Sequence, residues 1–326
     1  MLKRFVFERE DRPGEAWLAR FAAGRDEAVR WYRGEGLADP PSAVECREAI
    51  NLHMPELISH YDRACALVGD DDMAHRILSH YRPPREIHGC TQAIWLGDGG
   101  PALVRNYDYP LDVVSGRFEI TSWSGRKVIA KAQRPWGGCI DGMNEDGLVA
   151  SLTFGGGDGH GLGFSIILML RYLLETCRHV DQAIAAVCRI PVATSQNVTL
   201  LDRSGTFATL FLGPDRGPAV LRSRTCANHQ EIAAAPHSPS IRNSIERERT
   251  VLAALDDPAT TLSSLTARFL EPPLYSRRAA SPTVYTAVYR PAELRVEYLW
   301  PGRSWTQRID RFDSGDYSHD YGELAP

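Results

Sequence analysis

The sequence predicts an α+β domain of stacked layers. Helical periodicity occupies residues 1 to about 85, short alternating runs bounded by turn residues begin at His88, and later strands and helices come in blocks with hairpin-length links and not as a βαβ repeat. The chain has 326 residues, 43% hydrophobic and 24% charged, enough for one large domain or two ordinary ones. A net charge of -4 lacks the basic footprint of a nucleic-acid binder. The longest apolar stretch, residues 164–170, is far below a membrane span, and the start has no apolar signal core, so the expectation is a soluble, cytoplasmic protein with no membrane partner.

The first region carries helical spacing through Ala16, Leu18, Phe21, Ala22 and Val29, and again from Cys46 to Val68, with Asp39-Pro40-Pro41 between. Arg82-Pro83-Pro84-Arg85 then ends helix and hands over to extended chain. Strands are expected at 92–96, 101–107, 116–122, 126–131 and 147–154, separated by Gly97-Asp98-Gly99-Gly100, Ser124-Gly125 and Asn144-Glu145-Asp146-Gly147. A glycine loop at 155–163 leads into one or two buried helices over Phe164 to Val187. It matches no phosphate-loop pattern, which leaves a rim of a pocket or a plain connection. Further strands are expected at 197–202, 206–212, 219–223, 283–290 and 294–300, and helices over Ser244–Leu255 and 261–270. The polar end, Arg311 to Pro326, reads as loosely held.

Seven cysteines (Cys46, Cys65, Cys90, Cys139, Cys177, Cys188 and Cys226) are odd in number and form no CxxC pair, which suggests neither a disulfide framework nor a zinc ribbon. Most should be small buried hydrophobes. His88, His160, His229 and His237 are too scattered for a metal site, and no cofactor is inferred. Within His88-Gly89-Cys90-Thr91, however, Cys90 sits where helix gives way to strand. A hairpin of Gln92–Leu96, the glycine turn and Pro101–Tyr107 brings Arg105 and Asp108 back beside it. Charges among apolar and aromatic residues need partners, and these two fit a nucleophile's surroundings, an exposed edge or a structural ion pair.

In order and spacing, Gly89-Cys90-Thr91, Arg105-Asn106-Tyr107-Asp108, Gly142-Met143-Asn144-Glu145-Asp146-Gly147-Leu148, Ala227-Asn228-His229, Ser244-Ile245-Glu246-Arg247 and the Thr283–Tyr289 strand are jointly specific. The chain resembles the penicillin acyltransferase-type (isopenicillin N acyltransferase-like) family of N-terminal nucleophile hydrolases and, more distantly, the choloylglycine hydrolases. The resemblance runs from about His88 to Pro301. It implies a four-layer αββα sandwich, the Ntn-hydrolase fold, preceded by a helical pro-segment. It further implies self-cleavage between Gly89 and Cys90 into residues 1–89, the α chain, and 90–326, the catalytic β chain, which stay associated. Cys90 is then the catalytic thiol and carries its own base in the freed α-amine.

By the same resemblance, Asp108 serves the nucleophile's amine or thiol, Arg105 balances that carboxylate or holds a substrate group, and Asn228 donates to the oxyanion. Thr153 stands where the choloylglycine enzymes have a second asparagine, and Thr91, Arg247 and Arg278 are weaker substrate or oxyanion candidates. Trp123, Trp136, Tyr107, Tyr109 and Phe154 are candidates for an acyl pocket or for core. The implied reaction is hydrolysis of a small N-acyl amide through a Cys90 thioester. The rivals are acyl transfer to an amine, a cysteine protease using a distant histidine, and a non-cleaving binding protein of the same fold. Homo-oligomerisation stays open.

Overall fold

Turn glycines and alternating side chains fold the middle of the chain into a succession of hairpins. The computed structural model describes residues 1–33, 40–84, 89–133, 137–230 and 239–325. Asp39, Arg85, His88, Trp136 and His237 therefore lie outside the described residues. In order, the elements are β1 (Leu2–Arg9), α1 (Glu15–Arg33), α2 (Ala43–His53), α3 (Ile58–Val68), α4 (Asp72–Ser79), β2 (Gly89–Trp95), β3 (Ala102–Asp108), β4 (Arg117–Thr121), β5 (Val128–Ala132), β6 (Cys139–Asn144) and β7 (Val149–Phe154). After these come α5 (Ile166–Thr176), α6 (Val180–Val187), β8 (Gln196–Leu201), β9 (Phe207–Gly213), β10 (Arg216–Leu221), β11 (Thr225–Cys226), α7 (Pro239–Asp256), α8 (Leu262–Arg268), β12 (Thr283–Arg290), β13 (Arg295–Trp300), β14 (Arg303–Arg308) and β15 (Gly315–Asp320).

The strands make two sheets, in the orders β10-β9-β8-β7-β6-β5-β4-β1-β15 and β11-β2-β3-β12-β13-β14. Among the pairings of described strands, only β1–β4 is parallel. The sheets face each other across the main core, α5 packs on β6 and β7 outside the larger sheet, and α7 packs on β2 and β11 outside the smaller one. With α6 beside α5 and α8 joining α7 over Ala93, Val104 and Val288, the result is the expected α+β sandwich of four layers. Helix α5 is buried along almost its whole length; Leu168 shares a small apolar cavity with Trp17, Ile50, Tyr61 and Leu78 of α1–α4, and Tyr172 donates to Glu56, between α2 and α3, at 2.8 Å. Its apolar composition is thus that of a helix with no solvent face. Among the described residues no helix is long and apolar enough to cross a membrane.

Two expectations are corrected. Residues 1–85 are not helical throughout, since Leu2–Arg9 is a strand inserted between β4 and β15. Its alternating Phe5 and Phe7 enter the inter-sheet core, where Phe7 stacks on Phe118 at 4.6 Å and Phe5 meets Trp300 at 5.1 Å. The end expected to be loose is not so over its described residues, 311–325: Gly315–Asp320 pairs antiparallel with β1 along six residue pairs, and Tyr317 and Tyr321 are buried. Strands β6 and β14 also lie where no strand was expected.

Candidate active site

The β2–β3 hairpin forms as its glycine turn requires, with Gly99 and Gly100 at φ 84° and 83°. Its register pairs Gly89 with Asp108, Cys90 with Tyr107 and Gln92 with Arg105. A β-carbon at Gly89 would lie 2.8 Å from the Asp108 carbonyl oxygen, so the strand can approach this closely only with glycine there. Alternation then separates two faces. Cys90 and Ile94 join the inter-sheet core with Leu103 and Tyr107, whereas Ala93 and Trp95 join the core under α7 and α8 with Ala102 and Val104.

On the inter-sheet face, Arg105 Nη2 donates to Cys90 Sγ at 2.9 Å. Its Nη1 donates to Asp141 Oδ2 at 2.6 Å, Ser151 Oγ at 2.9 Å and the Ile140 carbonyl at 3.0 Å, all on the opposite sheet. Tyr285 and Tyr289 each donate to Asp141 at 2.5 Å. Both members of the Arg105–Asp141 pair have no exposure. Burial pushes the Cys90 thiol up to about 12, while the Arg105 and Arg247 cations pull it down. The sulfur is therefore a protonated, shielded group with a cation already beside it.

At the α7 side, Cys90 N–H donates to Asn228 Oδ1 at 3.0 Å. Arg247 Nη1 donates to the Cys90 carbonyl at 3.0 Å, to Thr91 Oγ1, and to Asp108 Oδ2 at 3.2 Å. The other Asp108 oxygen accepts from Thr283 at 2.6 Å. Burial raises the Asp108 pKa above the usual carboxylate value, against the opposing pull of Arg247 and Thr283.

The structure thus brings together Gly89, Cys90, Thr91, Arg105, Asp108, Asn228 and Arg247, with Asp108 reaching Cys90 through Arg247 and not by a hydrogen bond of its own. The Thr153 hydroxyl is turned to the segment before Asn228: it donates to the Ala227 carbonyl at 2.8 Å and accepts from Asn197 at 3.0 Å. Arg278 lies exposed on the wall of a cavity of about 930 Å³. That cavity is lined by Gly89, Asp108, Asn228 and Arg247, with Tyr109 and Phe154 among its aromatic residues, but not by Cys90, which is fully buried beneath it. Gly156 of the glycine loop also borders it. Tyr107 is core, and Trp123 faces α1 and α3 through Trp17 and His60. Sequence reasoning missed Asp141, Tyr285 and Tyr289; an aspartate inside the apolar run Cys139-Ile140-Asp141 was the available signal, since a lone buried carboxylate demands a cation. Among the described residues no group of His, Cys, Asp or Glu is arranged to hold a metal ion.

Among solved structures, the chain is similar to a mutant of the conjugated bile acid hydrolase from Clostridium perfringens, with 12% identity and a TM-score of 0.48 over 71% of this chain and 97% of that one. Penicillin V acylase from Agrobacterium tumefaciens gives 15% and 0.46, over 68% and 87%. The Caenorhabditis elegans ortholog of N-acylethanolamine-hydrolyzing acid amidase gives 13% and 0.44, over 62% and 93%. Likeness at this level says nothing of substrate. A search of the curated proteins found no significant match. The model of the family described as acyl-coenzyme A:6-aminopenicillanic acid acyl-transferase matches residues 95–305, well over half of the chain but starting beyond Cys90. On that match, the chain belongs to the acyl-coenzyme A:6-aminopenicillanic acid acyl-transferase family.

Proposed function

We propose that this protein is a self-processing cysteine amidase: it cuts its own Gly89–Cys90 bond and then hydrolyses linear N-acyl amides through a Cys90 thioester. The observation that carries this reading is the placement of one residue, Cys90. Gly89 borders the cavity, the Cys90 sulfur lies below it against Arg105, and the Cys90 N–H and C=O are held by Asn228 and Arg247. The sulfur and both backbone polar groups of the attacking residue are thus held in place.

In processing, Cys90 Sγ adds to the Gly89 carbonyl carbon and its proton passes to the departing nitrogen. The C–N bond breaks, leaving a thioester and a free α-amine, and water then hydrolyses the thioester to a Gly89 carboxylate and the Cys90 thiol. The new amine, with a reference pKa of about 7.7–8.0, accepts the thiol proton near neutrality. In turnover the thiolate attacks the substrate amide, the amine's proton goes to the leaving nitrogen, and water releases the acid. Asn228, freed from the Cys90 N–H, turns its amide to the developing oxyanion. Hydrolysis is favoured over transfer because the cavity wall includes exposed polar side chains, Arg277 and Arg278, so water has access. A protease using a distant histidine is disfavoured, as the hydrogen-bond partner of the sulfur among the described residues is Arg105.

Association of the fragments has support in β1. Residues 1–89 would supply a strand hydrogen-bonded on both sides, by β4 and β15. Denaturing mass spectrometry and N-terminal sequencing test the reading: the purified protein should yield two chains, one starting Cys-Thr-Gln, that co-elute under native conditions. Cys90→Ala should abolish both splitting and amidase activity, and Cys90→Ser should split slowly. Splitting at this bond in Cys90→Ala, or an intact wild-type chain with full activity, would overturn it.

A further inference from the structure

Asn228 can hold the Cys90 N–H only if its own backbone is fixed, and the fixing groups form a chain. The Asn228 N–H donates to Ser244 Oγ at 2.6 Å. The same oxygen lies 2.8 Å from His229 Nδ1, and His229 Nε2 lies 2.9 Å from Glu248 Oε2. The second Glu248 oxygen accepts from Thr225 Oγ1 at 3.2 Å, which ties the far end to β11. With the Ser244 hydroxyl proton turned to Nδ1 while its oxygen accepts from Asn228, Nε2 carries the ring proton and donates to the Glu248 carboxylate, an arrangement that gives every group in the chain a partner.

Ser244, Arg247 and Glu248 fall at i, i+3 and i+4 and so share one face of α7. That face grips residue Cys90 by the two peptide groups that flank it, its C=O directly through Arg247 and its N–H, which belongs to the scissile peptide, through Ser244 and Asn228. Serine, histidine and glutamate in this order resemble a hydrolytic triad. Ser244, however, has no exposure and spends its oxygen on an amide N–H, so it cannot meet a substrate.

We propose that Ser244, His229 and Glu248 are positioning residues that set Asn228, and through it the scissile peptide and later the oxyanion. The relay's effect on rate rests on the amidase reading; its effect on the Asn228 and Cys90 amides does not. In the full chain, Ser244→Ala and His229→Leu should slow splitting roughly 10- to 100-fold in protein that is still fully folded at the assay temperature. His229→Gln, which keeps a donor towards Glu248, should recover part of the rate. Wild-type rates in both Ser244→Ala and His229→Leu would overturn the relay, as would an equal loss in His229→Leu and His229→Gln.

A second readout needs no chemistry. In a Cys90→Ala background, adding Ser244→Ala or His229→Leu should speed amide hydrogen exchange at positions 90 and 228 about tenfold or more relative to Val104. Unchanged protection at both amides overturns the relay. A wild-type chain that never splits removes the amidase reading and leaves this measurement to decide the relay alone.

Discussion

On the inter-sheet face of the β2–β3 ribbon, the cation beside Cys90 is Arg105, which has no exposure and is gripped by Asp141, Ser151 and a carbonyl of the facing sheet. On the α7 face the cation is Arg247, a few per cent exposed, held by Asn243, Thr91 and Asp108 next to an open cavity. The first is anchored by strands whose ladders continue on either side. The second depends on a helix laid against the sheet. The difference teaches that fold stability and site geometry are partly separable here: removing an inter-sheet partner leaves a stranded interior charge, whereas removing an α7 partner mainly frees the Cys90 peptide.

The largest stability effect should come from Asp141→Leu, which leaves Arg105 buried without its carboxylate. About 3–5 kcal/mol should be lost in urea unfolding. Pairing it with Arg105→Met should restore much of that stability yet leave the Gly89–Cys90 bond uncut; a double variant as unstable as the single one would break the contrast. Arg247→Leu should cost less, about 1–3 kcal/mol, but slow splitting by roughly 100-fold. A loss as large as that of Asp141→Leu would mean the two faces do not differ. Thr283→Val, removing one donor to Asp108, should cost about 1–2 kcal/mol. It should also raise the Asp108 pKa further, detectable by carboxyl infrared absorption during an acid titration, because that hydrogen bond opposes the shift from burial.

The last test probes the inter-sheet side through pH. Lys131, cross-strand from Asp141, is fully buried, and burial lowers its pKa to about 7 against the attraction of Asp141 and Glu119. Between that value and about 10.4 the unfolded chain binds more protons than the folded one, so stability should rise with pH and be lost as pH falls through the window. Lys131→Met should remove this rise, on the order of 1 kcal/mol per pH unit, in urea midpoints taken from about pH 7 to 9. Parallel curves for wild type and variant would place the charge elsewhere.

The site was legible where its residues are close in sequence or carry a recognisable pattern. Cys90, Arg105 and Asp108 belong to one hairpin, whose glycine turn and two-residue period set the register, and the expected return of Arg105 to Cys90 appears as a 2.9 Å contact. Asn228 and Arg247 followed from the resemblance, and both touch the Cys90 peptide. Asp141 was not read, because its sign of importance is what lies across the inter-sheet gap, an arginine 36 residues away in sequence. Strand β1 was missed although Phe5 and Phe7 alternate openly, since its charged neighbours suit an exposed helix equally well and its partners are residues 117–120 and 315–320.

What the sequence by itself determined is local: the hairpin and its turn, the apolar α5, and the order of motifs that names the family. Backbone sterics and side-chain period act over a few residues and need no knowledge of the rest. Only the tertiary structure decided that Cys90 is buried under the cavity floor, that Thr153 serves the Asn228 segment and that the N-terminal strand completes the larger sheet. Burial and charge pairing depend on which surfaces meet, and that is settled by long-range strand pairing whose partners no local pattern specifies.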